Sequence, residues 1–159
     1  MVAFFSPDDD ARHPTRTVAK LIAEITDGDT YEIKPKIPYT AKDLVWQNKN
    51  SRSTKESNDP NSRPELADTD AKIEDYDVIY LGFPIWWYLA PHIIYTFLET
   101  YDFRDKKVIT FATSEGSGFG DTVKHLRLSS PDAQFIEGRV FRGRVDLETI
   151  ANWLDSLSL

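Results

Sequence analysis

Residues 75–91, DYDVIYLGFPIWWYLAP, contain the clearest evidence for the fold of this chain. Within them, Val78 to Leu81 form a short apolar run that ends at Gly82, as a buried strand does. Pro91 then stands near the first turn of a predicted helix. A buried strand that is followed by a loop and a helix is the repeating unit of a parallel sheet with helices on its faces.

The same alternation of apolar runs and helical patterns continues along the whole chain. Five strands are predicted, over residues 2–5, 31–33, 78–81, 108–112 and 135–136. Helices are predicted between and after them, with Thr15 as the cap of the first and Gly28 as its end, and the others over residues 44–46, 93–98, 123–128 and 147–157. This pattern indicates an α/β fold with a doubly wound, mainly parallel sheet.

Length and composition predict a single domain over residues 1–159. The chain has 159 residues, of which 40% are hydrophobic, and this is enough for one sizeable core but not for two. Residues 48–64 are almost entirely polar. We interpret them as a long surface excursion, because neither flank would fold alone as a second domain.

The composition argues against several classes of function. A net charge of −7 and the absence of cysteine argue against nucleic acid as a partner and exclude thiolate chemistry. His13, His92 and His125 are widely separated, so no metal site is predicted. Since no stretch matches a membrane span or a secretion signal, we expect no membrane partner and a cytoplasmic location.

Three consecutive aromatic residues, Trp86, Trp87 and Tyr88, follow the predicted third strand. Neighbouring side chains project in different directions, so at least one of the three should be exposed at the edge of the sheet. In open α/β sheets, ligands bind outside the carboxyl ends of the strands. The aromatic residues therefore suit the site of a flat ligand, and they equally suit a plug over the core or a protein interface.

Four segments of the chain resemble the flavodoxin-like family: FFS at residues 4–6, PIWWYLAP at 84–91, TSEGSGFGD at 113–121 and GRVFRGR at 138–144. The resemblance implies a flavodoxin-like, three-layer, doubly wound fold with a five-stranded parallel sheet of order 2-1-3-4-5. It also implies flavin mononucleotide (FMN) as the cofactor. Pro84, Ile85, Trp86 and Trp87 would then line the isoalloxazine ring.

The loop after the predicted fourth strand would lie beside the same flavin. By resemblance, its contributing residues are Thr113, Ser114, Glu115, Gly116, Ser117 and Gly118. A loop rich in glycine is a weak signal alone, because most such loops are turns. Glu115 replaces an expected glycine, so its carboxylate either faces solvent or disfavours a negatively charged reduced flavin.

The loop after the first strand, SPDDDARHPTRT at residues 6–17, departs from the family pattern. Family members have a short Ser-x-x-Gly-Asn-Thr loop whose amides hold the phosphate. Ser6 and Thr15 remain as anchors, but the loop is longer and contains two prolines and three carboxylates. If FMN binds, the carboxylates must face solvent, and Arg12, His13 and Arg16 would compensate for the lost amides. Otherwise, binding of FMN is weak or lost.

The resulting hypothesis is an FMN-binding redox protein, with electron carrier as its role. A flavin-free binding or regulatory domain and an NAD(P)H-dependent quinone reductase are the alternatives. An acidic group ahead of the third strand, comprising Asp70, Glu74, Asp75 and Asp77, is either a solvated surface or an attraction for a basic redox partner. His92 is either a surface residue or a proton donor to the reduced flavin.

Overall fold

In the computed structural model, which describes residues 1–159, five parallel strands form one sheet. The strands are β1 (Val2–Phe4), β2 (Thr30–Glu32), β3 (Val78–Pro84), β4 (Lys107–Thr113) and β5 (Gln134–Phe141). Their spatial order is β2-β1-β3-β4-β5, which confirms the predicted fold and strand order. The order reverses between β1 and β3, so the loops after these strands diverge and leave room for a ligand.

Helices cover both faces of this sheet. They are α1 (Pro14–Thr26), α2 (Arg52–Asn58), α3 (His92–Thr100), α4 (Thr122–Ser129) and α5 (Leu147–Ser156). α1 packs against α5 on one face, and α3 packs against α4 on the other. Each face has its own apolar cluster, and the one on the α3 side is the larger. No helix has the length and apolar character required to cross a bilayer.

The start of α1 differs from the sequence-based expectation. The expected cap, Thr15, lies inside the helix and is fully buried, so that prediction is wrong. His13 is the N-cap, because its Nδ1 atom accepts a hydrogen bond from the Thr15 amide at 3.3 Å. At the other end, Asp27 adopts the left-handed conformation that was expected of Gly28, with φ of 49°.

The polar segment at residues 48–64 is more ordered than its composition suggested. It contains α2, which Ser51 caps and whose Ser53 and Thr54 are buried. Glu56 anchors the helix to the rest of the chain by accepting a hydrogen bond from the Tyr39 hydroxyl at 2.5 Å. The short helix expected at residues 44–46 is instead a 3₁₀ turn at Lys42–Leu44. Small buried hydroxyls, which pack without an apolar pattern, explain why the segment was interpreted as a loop.

The carboxyl ends of β3 and β4 lie side by side. Pro84 is paired with Thr113 in the register, and the Ile85 amide donates to the Thr113 carbonyl at 3.0 Å. The loop after β3, which carries Trp86, Trp87 and Tyr88 and is called the aromatic loop below, therefore leaves the sheet at the same level as the loop after β4. Gly82 makes this close packing possible, since a Cβ atom there would lie 2.0 Å from the Phe111 ring.

Candidate functional site

A cavity of about 870 Å³ lies at the carboxyl ends of the strands. Its size is in the range of ligand pockets in proteins, roughly 300–1,000 Å³. We call it the main cavity. Its walls come from the loops after β1, β3, β4 and β5 and from the segment around the 3₁₀ turn and α2. A concave surface of ligand size therefore lies at the point where the strand order reverses, as the general rule for open α/β sheets expects.

The aromatic loop forms one wall of the main cavity. Trp87 and Tyr88 have φ of 53° and 65°, and Trp86 and Leu89 exchange main-chain hydrogen bonds of 2.8 and 3.0 Å. Two left-handed residues at the centre of such a turn define type I′, which usually requires glycine or asparagine. Holding bulky residues there costs on the order of 1 kcal/mol or more for each residue. The surrounding structure maintains this strain at the rim of the cavity.

This turn gives the three aromatic side chains different environments. Trp87 is 39% exposed and Tyr88 is 73% exposed, which confirms that part of the cluster faces outward. Trp86 points the other way and packs edge-on against Phe5 and Tyr39, with ring centroids 5.6 and 5.5 Å apart. Trp86 therefore joins the cavity wall to the core, whereas Trp87 offers a free aromatic surface.

Trp46 belongs to the cavity and was missed by the sequence reasoning. Its ring packs edge-on against Trp87 at 5.9 Å and is 62% exposed. Leu44 and Ser53, from the same part of the chain, also line the cavity. The available signal was a tryptophan at the end of the short apolar run Leu44-Val45-Trp46, which polar residues flank on both sides. Pro7, Asp8, Pro14, Tyr88, Phe141 and Gly143 are further lining residues that were not predicted as site residues.

The loop after β4 forms the polar wall. The residues of this loop that line the main cavity are Thr113, Ser114, Glu115, Gly116 and Ser117, whereas Gly118 lies outside the lining. The Ser114 hydroxyl oxygen accepts from the amides of Gly116 and Ser117 at 3.3 and 2.9 Å, and its own proton remains free to be donated. Glu115 is exposed at the rim.

The loop after β1 uses its own carboxylates to satisfy its amides. Asp8 accepts from the Asp10 amide at 3.0 Å, and Asp10 accepts from the Arg12 amide at 2.9 Å. The His13 amide donates to the Asp10 carbonyl at 3.0 Å. Pro14, at the first position of α1, has no amide proton to donate. These main-chain donors are engaged, whereas the amides of Asp8, Asp9, Ala11 and Arg16 have no acceptor within the protein, so only part of an amide cradle for a phosphate is occupied.

The residues that were expected to hold a phosphate are placed in three different ways. Ser6 donates to the Asp8 carbonyl at 3.2 Å, and Thr15 is buried against Thr113, so both lie outside the lining. Arg16 also lies outside it, because both of its terminal nitrogens bind Glu32, at 2.7 and 2.9 Å. His13 lines the main cavity. Arg12 lines a smaller neighbouring cleft.

That neighbouring cleft has a volume of about 250 Å³. We call it the side cleft. It shares Pro14, Thr113, Phe141 and Gly143 with the main cavity, so the two spaces adjoin. Arg12 and Arg144 line the side cleft, whereas neither lysine nor arginine lines the main cavity.

The two histidines near this end of the sheet have different roles. Burial lowers the pKa of His13 below its usual value, and the neutral ring can then accept the Thr15 amide proton. His92 is absent from the cavity lining; its Nδ1 atom lies 2.6 Å from the Ser62 hydroxyl. Burial also lowers the pKa of His92, ahead of the effect of nearby Arg63. His13, and not His92, is therefore the titrating imidazole at the main cavity.

Comparison with known proteins agrees with this geometry. A sequence model of the flavodoxin family matches residues 1–157. The chain belongs to the flavodoxin family. Family membership accounts for the strand order and for a cavity at the switch point. A search of curated protein sequences gives no match.

Two crystal structures with the same fold are closely similar to this flavodoxin-family chain. A protein of Bacteroides eggerthii DSM 20697, assigned as a flavoprotein, is 42% identical, with a TM-score of 0.90, over 99% of this chain and 96% of that one. A similarly assigned protein of Bacteroides uniformis ATCC 8492 is 45% identical, with a TM-score of 0.90, over 98% and 96%. A flavoprotein of Lactobacillus acidophilus NCFM in complex with FMN is 22% identical, with a TM-score of 0.70, over 96% of each chain. At that identity, the last similarity shows the fold alone.

The donor set of the cavity fits one part of FMN better than the other. Trp46 and Trp87 give aromatic surface, and Ser114 gives a free hydroxyl, as a flat ring with a polar edge requires. The engaged amides of the loop after β1 do not fit a phosphate. A flavin ring is thus better accommodated than the phosphate of FMN, unless other cations receive that group.

Proposed function

We propose that this chain is an FMN-binding redox protein that acts as an electron carrier in the cytoplasm. The observation that carries the proposal is the main cavity at the switch point of the sheet, with the exposed rings of Trp46 and Trp87 in one wall. Family membership and the FMN complex of the Lactobacillus acidophilus protein support the choice of flavin. When bound, the flavin supplies the one- or two-electron chemistry.

In this proposal, the chain positions the ring and excludes water from it. Pro84, Ile85 and Trp86 form the inner wall, which the core supports through Phe5. Trp87 lies against a ring face, and its strained turn holds it there without rearrangement on binding. Thr113 to Ser117 would face the polar edge of the ring, with Gly118 next to them in the same loop.

The phosphate side of the site depends on cationic and neutral donors from side chains. Arg12 and His13 lie close to it, while Ser6, Thr15 and Arg16 support the loop from behind. Arg16 does so by donating to the Asp8 carbonyl at 2.9 Å. The carboxylates of Asp8 and Asp10 already accept amide protons, which lowers the repulsion that they would otherwise exert on an anion.

A basic redox partner is part of the proposal, but we expect it to dock at the mouth of the main cavity and not at the acidic group that precedes β3. The acidic group at Asp70, Glu74, Asp75 and Asp77 precedes β3, so it lies at the amino ends of the strands, opposite the main cavity. Exposed carboxylates also surround the main cavity, at Asp8, Asp9 and Glu115. A partner that exchanges electrons with a flavin must approach it closely. The carboxylates at the cavity mouth therefore suit a basic partner better.

The absorption spectrum of the purified protein, before and after incubation with FMN, tests the proposal. We expect the visible bands of a protein-bound flavin, which bleach on chemical reduction. Rapid mixing with NADPH then separates carrier from quinone reductase: a carrier stays oxidised until a partner reductase is added. Rapid bleaching would contradict the carrier role and favour the reductase.

A flavin-free binding domain is the second candidate. The observation in its favour is the set of engaged amides in the loop after β1, which leaves fewer main-chain donors for a phosphate. Under this function the exposed rings of Trp46, Trp87 and Tyr88 would contact a protein. Absence of any flavin binding at micromolar concentration would favour this candidate and overturn the redox proposal.

A further inference from the structure

In the loop after β1, side-chain carboxylates accept hydrogen bonds that a bound phosphate could otherwise accept. The Asp8 carboxylate accepts from the Asp10 amide, and the Asp10 carboxylate accepts from the Arg12 amide. These two amide protons are therefore not available to an external anion. Displacing the two carboxylates would require a phosphate to break two hydrogen bonds and to approach three carboxylates closely. A phosphate beside the main cavity therefore needs further donors from side chains.

Two cationic groups near the cavity, Arg16 and Arg142, are already bound to other partners. Arg16 is tied to Glu32 through both terminal nitrogens, and its side chain is only 12% exposed. Arg142 donates to the Ser117 carbonyl at 2.9 Å, which holds the loop after β4 against the loop after β5. Neither guanidinium can turn toward a ligand without losing these contacts.

Arg12 and Arg144 differ from these two because they line the side cleft and their guanidinium groups are held less firmly. Arg144 makes no ion pair or side-chain hydrogen bond. Arg12 has one ion pair, to Asp10 at 3.4 Å, with 92% of its side chain exposed, and such contacts contribute little. Thr17 adds a hydroxyl, and Gly143, which is left-handed with φ of 63°, turns the chain just before Arg144.

We infer that Arg12 and Arg144 together hold the phosphate of the bound flavin in the side cleft. The inference rests on the proposed function and concerns the part of the same ligand that the main cavity does not fit. The two spaces share wall residues at Pro14, Thr113, Phe141 and Gly143, so the side cleft lies directly beside the main cavity. Two guanidinium groups offer the paired, planar donors that suit phosphate oxygens, and they replace the main-chain cradle.

The test compares FMN with riboflavin, which has the same ring and no phosphate. Dissociation constants are measured for both flavins, by quenching of flavin fluorescence, in the wild type, Arg12→Gln, Arg144→Gln and the double variant. Arg104→Gln is the matched control, because Arg104 is exposed and precedes β4 at the opposite end of the sheet. Circular dichroism checks that each variant folds.

We expect the wild type to bind FMN at least about tenfold more tightly than riboflavin, as one charge-assisted contact would give. Each single variant should lose part of this preference, and the double variant all of it. Riboflavin binding should stay within about twofold throughout, since the ring contacts are unchanged. Arg104→Gln should match the wild type.

Two results would overturn the inference and leave the proposed function standing. One is a wild type that binds both flavins equally, and the other is a double variant that keeps the preference for FMN. If neither flavin binds to the wild type, the proposed function itself fails. The riboflavin measurement separates these cases, because it reports on the ring site alone.

Discussion

Thr15 and Thr113 share a buried hydrogen bond, with their hydroxyl oxygens 2.7 Å apart. Thr15 lies in the first turn of α1, and Thr113 is the last residue of β4. Both side chains are almost completely excluded from solvent. The contact therefore fixes the start of α1 against the wall of the main cavity, and it couples two loops that are far apart in sequence.

A double-mutant cycle on this pair should show strong coupling. Thr15→Val or Thr113→Val alone leaves one buried hydroxyl without its partner, at a cost of roughly 1–3 kcal/mol in the free energy of unfolding. The double variant should lose less than the sum of the two single variants, because it leaves no unpaired hydroxyl. Urea denaturation measures all four proteins. Strict additivity would mean that the hydroxyls do not interact.

Trp87 and Trp86 should respond differently to replacement by alanine. Trp87→Ala should weaken flavin binding by about 1–3 kcal/mol, the scale of lost stacking and apolar contact, with little loss of stability. Trp86→Ala should in addition destabilise the fold by several kcal/mol, since its ring packs on Phe5 and Tyr39. Flavin titration and urea denaturation measure the two effects.

Leu128→Ala is the control for the tryptophan variants. Leu128 is 80% exposed on α4, so its removal should change neither binding nor stability. Unchanged flavin affinity in both tryptophan variants would remove the aromatic loop from the site.

Glu115→Gln should make the bound flavin easier to reduce. The carboxylate at the cavity rim repels the negative charge that reduction adds, and glutamine does not. Glu115 is exposed, so the shift should be small, at most about 1 kcal/mol or roughly 40 mV for one electron, and weaker at high salt. Spectroscopic redox titration measures it. Glu24→Gln, an exposed change on α1, is the control, and an equal shift in both variants would exclude a local effect.

His13 should make stability depend on pH. Its pKa is lowered by burial in the folded chain, so the unfolded chain takes up a proton first as the pH falls. The contribution of the neutral imidazole is full above a pH of about 6.5 and decreases as the pH falls through the folded pKa. His13→Asn keeps an N-cap acceptor that does not titrate.

The comparison of unfolding free energies between about pH 8 and about pH 5 tests this role of His13. We expect the wild type to lose more stability on acidification than His13→Asn, by up to about 1 kcal/mol, the typical worth of an N-cap. His92, whose pKa is lowered in the same direction, contributes equally to both proteins and cancels. Equal pH profiles would show that the imidazole does not cap α1 while neutral.

The central strands and the position of the cavity were predictable because their signals are local. The run from Val78 to Leu81 is apolar on both faces, as a strand covered by helices must be, and Trp86 and Trp87 follow it directly. Trp46 was not predictable in the same way, because its contact with Trp87 joins distant segments. Likewise, the sequence offered five candidate cationic and hydroxyl side chains after β1, but it could not show that Arg16 is bound to Glu32.

Titration of the flavin-free protein with FMN tests the central claim most directly. Fluorescence quenching of the flavin, measured at increasing protein concentration, should saturate with one FMN for each chain and a dissociation constant in the micromolar range or below. The same titration with Trp87→Ala should show weaker binding. Absence of saturation with both FMN and riboflavin at micromolar protein would contradict the assignment of the main cavity as a flavin site.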